Sequence, residues 1–509
     1  MVLYSIMGCV CWGLLSVVRF SLGQTMGAVW LMIAACTLSS PTAYAQAGGP
    51  KPKPPISAAP PAAEGPRIEL TLPEAVALGL RDNRTIRSAY LQRIAQKFDL
   101  RVAEDKFTPK LTIAAAYLAR RDLGAMGSSA DVTPIATMTT PVGTQVALSW
   151  ANTSDKIGGS ERSTASNLSL TVIQPLLRNG GLDAAMASVR IARLDEKTNH
   201  LALKATLAQT VTDIIQAYRT FLLTQEQERL SRDGLARSRD LLGVNRALIE
   251  SGRMAEVDIV QTESDVANQE LAVEQAINAV DTARLLLLAK LALDPRTDIV
   301  PRERLAAEPV SVRLERAIAV AFENQPDYLA QMITIERAKL SLGVARNKRL
   351  WDVSAVGGAG ASRQDPGQPR TRRNTYGGVQ VVVPLGDMSM EQAEVTASVA
   401  VKTAELKFDD LRQQVESQTR DAVRNVEARW RQLEIARRAR DLTARKMDIE
   451  REKLRLGRSS NFQVLSFETD LRRAESARVN AMIDYLNAQT ILDQQVGTTL
   501  DTWQISLDD

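Results

Sequence analysis

Residues 72–111, LPEAVALGLRDNRTIRSAYLQRIAQKFDLRVAEDKFTPKL, align without a gap with residues 314–353, LERAIAVAFENQPDYLAQMITIERAKLSLGVARNKRLWDV. The offset is 314 − 72 = 242, and Leu72/Leu314, Ala75/Ala317, Lys97/Lys339, Ala103/Ala345 and Lys106/Lys348 are among the identical pairs. A second match follows at a smaller offset, 457 − 252 = 205. There Gly252-Arg253 returns as Gly457-Arg458, and Glu263-Ser264-Asp265 returns as Glu468-Thr469-Asp470. Two matches in the same order mark an internal duplication, and the shorter second offset puts an insertion in the first half between the two blocks.

Each half carries a very long helical region. No Pro occurs between Pro175 and Pro295 or after Pro384, although the chain has 20. Apolar residues recur in steps of three and four, as in Leu207, Val211, Ile214, Tyr218 and Phe221, then Val423, Val426, Trp430 and Leu433. The opposite faces are dense in Arg, Glu, Gln and Asp, so the pattern predicts amphipathic helices with coiled-coil-like seams. Residues 390–456 as one helix would run about 100 Å at ~1.5 Å per residue. Gly252 and Gly457 are read as helix ends, each opening a tight turn into a second long helix. The bland alternative, a packing glycine inside a helix, would cost about 1 kcal/mol.

Between the helical blocks the period switches to two. Residues 110–120, 144–150, 167–173, 352–361 and 376–383 alternate or are β-branched, and turn-rich stretches at 154–163 and 361–374 flank them. One set of positions is small or polar and the other apolar, which suits a wall with lipid on one side and water on the other. Trp150 and Tyr376 fit membrane interfaces and ordinary strand packing equally well. The helices before and after the first strand block lie on one side of the wall, so the crossings there must be even in number. Strands at about 110–120 and 163–176 are therefore assigned as spanning, with 144–150 in a long outer excursion. The second half supplies strands at about 352–361 and 376–384. Four strands cannot close a barrel, and open edges are not tolerated in a bilayer. A trimer would give 3 × 4 = 12 strands, an even number within the usual range.

Composition removes most other chemistry. The net charge of +4, from 63 Lys+Arg against 59 Asp+Glu, is too near balance for a nucleic-acid-binding surface. The three Cys, Cys9, Cys11 and Cys36, all precede residue 37, and His200 is the one His. Disulfide frameworks, Cys/His zinc sites and Cys–His nucleophiles are excluded from a processed chain. His200 stands on a polar stretch with nothing in sequence to complete a site. No phosphate-binding loop or dinucleotide fingerprint occurs, so no nucleotide-driven chemistry is expected of the chain. No cofactor, metal or enzymatic activity is expected. Arg370-Thr371-Arg372-Arg373 reads as a solvated outer loop or a contact for anionic lipid head groups.

Residues 27–38 (GAVWLMIAACTL) form a short apolar run followed by Ala43-Tyr44-Ala45, a signal peptide over 1–45 with cleavage expected after Ala45. Met26 is an alternative start. Ile33-Ala34-Ala35-Cys36 loosely matches a lipoprotein box, which would leave an acylated Cys36 at the N-terminus. Residues 46–67 read as an extended Pro/Ala-rich linker. The repeats then occupy 68–309 and 310–509.

Taken in order and spacing, these features resemble the TolC-like outer-membrane efflux channels over residues 70–499. The carrying segments are LTLPEAVALGLRDN and VRLERAIAVAFENQP, the strand ends Gln174-Pro175-Leu176-Leu177 and Val383-Pro384-Leu385, and G-R-x-x-x-[VF]-x-[IV]-[VL] at Gly252 and Gly457. The resemblance implies a mainly α fold with β, and a homotrimer whose 12-stranded outer-membrane barrel, four strands per chain, continues as a periplasmic α-helical tunnel. It also implies a periplasmic adaptor (membrane fusion) protein and an inner-membrane transporter as partners, in tripartite efflux or type I secretion. Carried over by position, the turns at 251–259 and 456–464, with Gly252, Arg253, Gly457 and Arg458, are the periplasmic tip and adaptor contact. Asp258, Gln463 and Ser466 fall at the entrance constriction. Asp258 matches a carboxylate that helps hold the entrance shut, whereas Gln463 and Ser466 replace carboxylates, so no charged cation-binding ring is expected. A periplasmic adaptor and a structural coiled-coil rod are the rival readings. An adaptor usually has one helical hairpin, and a rod gives no reason for matched strand blocks.

Overall fold

The computed structural model describes residues 67–506, apart from 123–124, 159–160, 304 and 367. The expected leader, its cleavage site, Cys36 and residues 46–66 of the linker lie outside the described residues. Arg67, taken as the last linker residue, already belongs to strand β1 (Arg67–Leu70), which pairs in parallel with β6 (Asp298–Pro301). Two four-residue strands leave too little pattern to be read from sequence.

Each half opens with two short helices meeting at a corner. In the first half these are α1 (Leu72–Asp82) and α2 (Arg84–Glu104), and in the second α5 (Leu314–Asn324) and α6 (Pro326–Lys348). Thr71 and Glu74 form a capping box at the start of α1. The corner residues are related by the longer offset, 325 − 83 = 242, and both cap the following helix. Asn83 Oδ1 accepts from Thr85 N at 2.8 Å, and Gln325 Oε1 accepts from Asp327 N at 2.7 Å.

The long helices are α3 (Leu182–Glu250), α4 (Asp258–Leu291), α7 (Ser389–Arg455) and α8 (Asn461–Val496). α3 has 69 residues and α7 has 67, each about 100 Å at ~1.5 Å per residue. α3 packs first on α2 and then on α4, while α7 packs first on α6 and then on α8. The buried seam repeats at the shorter offset: Phe221/Val426, Ala283/Ala488, Leu287/Leu492 and Leu291/Val496 are all buried. α4 and α8 even end alike, on left-handed residues Ala292 (φ 55°) and Gly497 (φ 79°). A short helix, α9 (Thr499–Thr502), follows α8.

The sheet holds more strands than the sequence reading allotted. It runs in the order β2 (Lys110–Asp122), β3 (Ala125–Thr139), β4 (Gln145–Ile157), β5 (Ser163–Pro175), β7 (Asp352–Asp365) and β8 (Gln368–Val382), with every neighbour antiparallel. The chain thus brings six strands to one sheet, not four. Of residues 144–150, all but Thr144 belong to the ladder strand β4 rather than to an outer excursion. β3 is not legible as a strand because AMGSSADVTPIATMT has no clean alternation, and Pro134 argues against an interior strand. The parity argument survives, with four strands in the first half instead of two. The turn-rich stretch 361–374 is likewise almost all strand, since β7 continues to Asp365 and β8 starts at Gln368. The Arg, Gln and Pro content there reflects strand ends rather than a loop.

Trp150 Nε1 donates to Ser166 Oγ at 2.9 Å across β4 and β5. Tyr376 reaches over β7 to Thr171, with 3.1 Å between the hydroxyls. A Cβ on Gly358 would lie 2.5 Å from the Tyr376 ring, so glycine there makes room for the aromatic.

Two side chains report on the seam. Leu288 is buried in the first half, and its equivalent in the second is Asp493, since 288 + 205 = 493. Burial pushes the Asp493 carboxyl up to about 6, against a pull downward from Arg219, whose guanidinium burial itself lowers to about 10. The folded chain therefore holds the Asp493 proton to higher pH than the unfolded chain does. Stability should fall as pH rises from about 4 to about 6, and Asp493→Asn should flatten that part of the profile of unfolding temperature against pH. At Gly497 a Cβ would lie 2.7 Å from the Asn324 carbonyl, and the residue is left-handed as well. Gly497→Ala should destabilise by about 1–3 kcal/mol, whereas Ala292→Gly should have little effect, as denaturant titration of both variants would show.

Candidate functional site at the helical tips

α3 and α7 end at equivalent points, and both stop by the same device. Gly252 (φ 69°) and Gly457 (φ 72°) take the left-handed conformation that favours glycine. Arg253 N donates to Leu248 O at 2.8 Å and Arg458 N to Lys453 O at 2.8 Å, while the glycine N–H groups bond Ile249 O and Leu454 O, each at 2.9 Å. This is the Schellman closure, and it satisfies carbonyls that a helix end would otherwise leave open. Ser460 then caps α8 by accepting from Gln463 N at 3.3 Å. α4 has no side-chain cap, but Asp258 places a carboxylate in its first turn, where the helix dipole favours it.

The two turns lie side by side. A Cβ on Gly457 would sit 3.5 Å from Arg253 Nη2. Beneath them a buried amide cluster joins the halves. Asn245 Nδ2 on α3 donates to Thr262 Oγ1 on α4 at 2.7 Å and to Asn461 Oδ1 on α8 at 2.8 Å. Asn461 Nδ2 returns to Thr262 Oγ1 at 2.9 Å and to the Asp258 carbonyl at 3.2 Å. Leu241, Met447, Leu454, Val464, Leu465 and Leu471 pack as the apolar cluster of this end.

Farther up, Glu468 is 2% exposed and bonds Arg237 at 2.6 Å and Arg451 at 3.1 Å. Arg237 also reaches Glu475 at 3.1 Å, and Arg472 bridges α8 to Asp265 of α4 at 3.2 Å. Glu450, near the end of α7, accepts from Ser459 Oγ at 2.6 Å. That bond, helped by Lys453, holds its carboxyl below the usual carboxylate range.

The positions singled out from sequence divide into two groups. Gly252 and Gly457 build the turns. Arg253, Arg458, Asp258, Gln463 and Ser466 are exposed on the chain surface, and among the described residues neither Arg253 nor Arg458 has an ion pair within the chain. Exposed apolar side chains surround them: Val257 (76%), Val260, Leu456 and Phe462 (68%). Sequence reasoning missed Asn245, Thr262, Asn461 and Arg237. In the sequence Glu468 is only a mark of duplication, because its partner Arg237 lies 231 residues away.

No group of three or more His, Cys, Asp or Glu able to hold a metal occurs among the described residues, and none of the described helices is long and apolar enough to cross a membrane. The amide cluster is a buried polar coupling between the two hairpins. Asn461→Ala should leave the Asn245–Thr262 bond but remove the buried bonds that both make to Asn461, at a cost of about 1–3 kcal/mol. Limited proteolysis should then cut faster at residues 251–257 and 456–460, with little change near the sheet.

No protein-family model matches the sequence, and no curated protein matches it. Solved structures do. The CmeC outer membrane channel of Campylobacter jejuni superposes with a TM-score of 0.66 at 13% identity, over 84% of this chain and 86% of that one. The outer membrane protein VceC of Vibrio cholerae gives 0.64 at 14% identity, over 84% and 96%. The open-state MtrE outer membrane channel of Neisseria gonorrhoeae gives 0.59 at 13%, over 84% and 89%. At such identities the agreement lies in the fold, and the chain has the fold of the outer-membrane channels, the TolC-like architecture its sequence resembles.

Proposed function

We propose that this chain is one protomer of a homotrimeric outer-membrane channel-tunnel for passive export. Its sheet lies in the membrane, and its helices form part of a tunnel through the periplasm. The tips meet a periplasmic adaptor and, through it, an inner-membrane pump that supplies the energy. The observation that carries this reading is the two-faced sheet set on paired helices of about 100 Å.

Along each strand successive side chains point to opposite faces. By register, Leu111, Ile113 and Tyr117 of β2 share a face with Leu168, Leu170 and Val172 of β5 and with Val379 and Val381 of β8. Thr112, Asn167, Ser169, Thr171, Asn374 and Gln380 take the other face. Apolar outside and polar inside is the pattern of a transmembrane barrel. Strands of 13 to 15 residues exceed the roughly 9–11 needed to cross a bilayer at a tilt. Arg120, Arg121, Arg363, Arg372 and Arg373 gather at the end of the sheet away from the helices, a position suited to anionic lipid head groups.

At the opposite end, exposed Val257, Leu456 and Phe462 offer an apolar docking surface around Gly252, Arg253, Gly457 and Arg458. Asp258, Gln463 and Ser466 are assigned to the entrance constriction. A compact adaptor or a coiled-coil rod would have no use for a sheet with one apolar and one polar face.

Purified protein in planar bilayers should give discrete conductance steps, with a trimeric mass from the same sample. Asp258→Ala should raise the time spent open if that carboxylate closes the entrance. A monomer without conductance would overturn the channel assignment.

A further inference from the structure

We propose that the inserted hairpin β3–β4 is a third pair of membrane-crossing strands, so that each chain brings six strands to the barrel instead of four. The proposal rests on the channel reading above and goes beyond it in the size of the pore.

The duplication locates the insertion. β2 and β7 start 352 − 110 = 242 residues apart, whereas β5 and β8 start 368 − 163 = 205 apart. The first half therefore carries 242 − 205 = 37 extra residues between β2 and β5, and β3 and β4 fill residues 125–157 of that stretch. In the second half β7 passes directly into β8.

The hairpin lies flush with its neighbours rather than above them. β3 pairs with β2 from Lys110↔Thr137 to Asp122↔Ala125, and β4 pairs with β5 from Gln145↔Ile173 to Asp155↔Ser163. Its turn reaches the helical side of the sheet. Gly181 N, at the start of α3, donates to Val142 O at 3.2 Å, and a Cβ on Gly143 would meet Asn179 O at 2.5 Å. An extracellular loop would lie at the opposite end.

The sidedness also continues through it. Val132, Ala136 and Met138 of β3 and Val146, Leu148 and Trp150 of β4 fall by register on the face of Leu111 and Leu170. Ser129, Asp131, Thr137, Ser149 and Thr153 fall on the face of Thr112 and Ser169. A hairpin outside the bilayer would have no reason to keep one face apolar in step with its neighbours. With six strands per chain a trimer closes at 3 × 6 = 18, still even. Barrel diameter grows about linearly with strand number, so the wall is about 1.5 times as wide as one of 12 strands, which suits bulky or hydrated cargo.

Adjacent positions on β4 and β5 test this directly, because Leu148 faces Leu170 and Ser149 faces Ser169 in the ladder. No native Cys follows Cys36, so Leu148→Cys, Ser149→Cys, Leu170→Cys and Ser169→Cys can each be read against the unsubstituted protein in proteoliposomes. The β4 pair should behave like the β5 pair. A charged, water-borne maleimide should label Ser149→Cys and Ser169→Cys but not Leu148→Cys or Leu170→Cys. A fluorophore attached at the two leucine positions before reconstitution should lose intensity to brominated lipid. If the β5 pair alternates while both β4 positions react from water without quenching, the hairpin lies outside the bilayer and the proposal fails. If the β5 pair does not alternate either, the channel reading fails and takes this proposal with it.

Discussion

An open six-stranded sheet leaves two strands, β2 and β8, each with one side of the backbone unpaired along its length within the chain. In water such edges invite pairing with another chain, and in lipid they cannot persist at all, since no solvent is present to bond the free N–H and C=O groups. In the proposed assembly β2 of one protomer meets β8 of the next. Closure by other copies of the same chain then becomes a condition of stability rather than an added property. The helices inherit the constraint, because every strand block is held between helices of the same chain.

The helical part solves a different problem. A helix of about 100 Å is too long to be covered by one short partner, so α3 and α7 each change partners along their length. Near the sheet they pack on α2 and α6; near the tips they pack on α4 and α8. The change occurs around the Leu70–Ile299 core, where β1 and β6 wedge α1 against α3 and α4. Asp493 sits at this level in the second half, at the place of a leucine in the first. The two halves are thus similar in backbone but unequal in chemistry.

The tip combines two demands. Its turns are closed by glycine geometry and its interior by buried amides, so the four helix ends hold a defined arrangement. Its outer surface carries Val257, Leu456 and Phe462 exposed to solvent. Buried polar groups need partners, and exposed apolar groups gain from cover. In the proposed assembly that exposed apolar rim is the surface an adaptor would cover.

Much of this was legible in the sequence. The two offsets, 242 and 205, mark the duplication and its insertion in the chain itself. The Pro-free stretches and the spaced glycines placed α3, α7 and both turns within a residue or two, because helix ends obey local rules of backbone conformation. Single-strand patterns located β2, β5, β7 and β8. What only the tertiary structure decided was the membership of β3 and the place of β4, since Pro134 and scattered Ser and Gly hide the alternation that neighbouring strands make plain. The amide cluster was equally hidden: Asn245, Thr262 and Asn461 are ordinary polar residues until three helices bring them within 3 Å. Local rules write element boundaries into the chain, whereas ladder membership and buried polar contacts join residues far apart in sequence, and only folding supplies those partners.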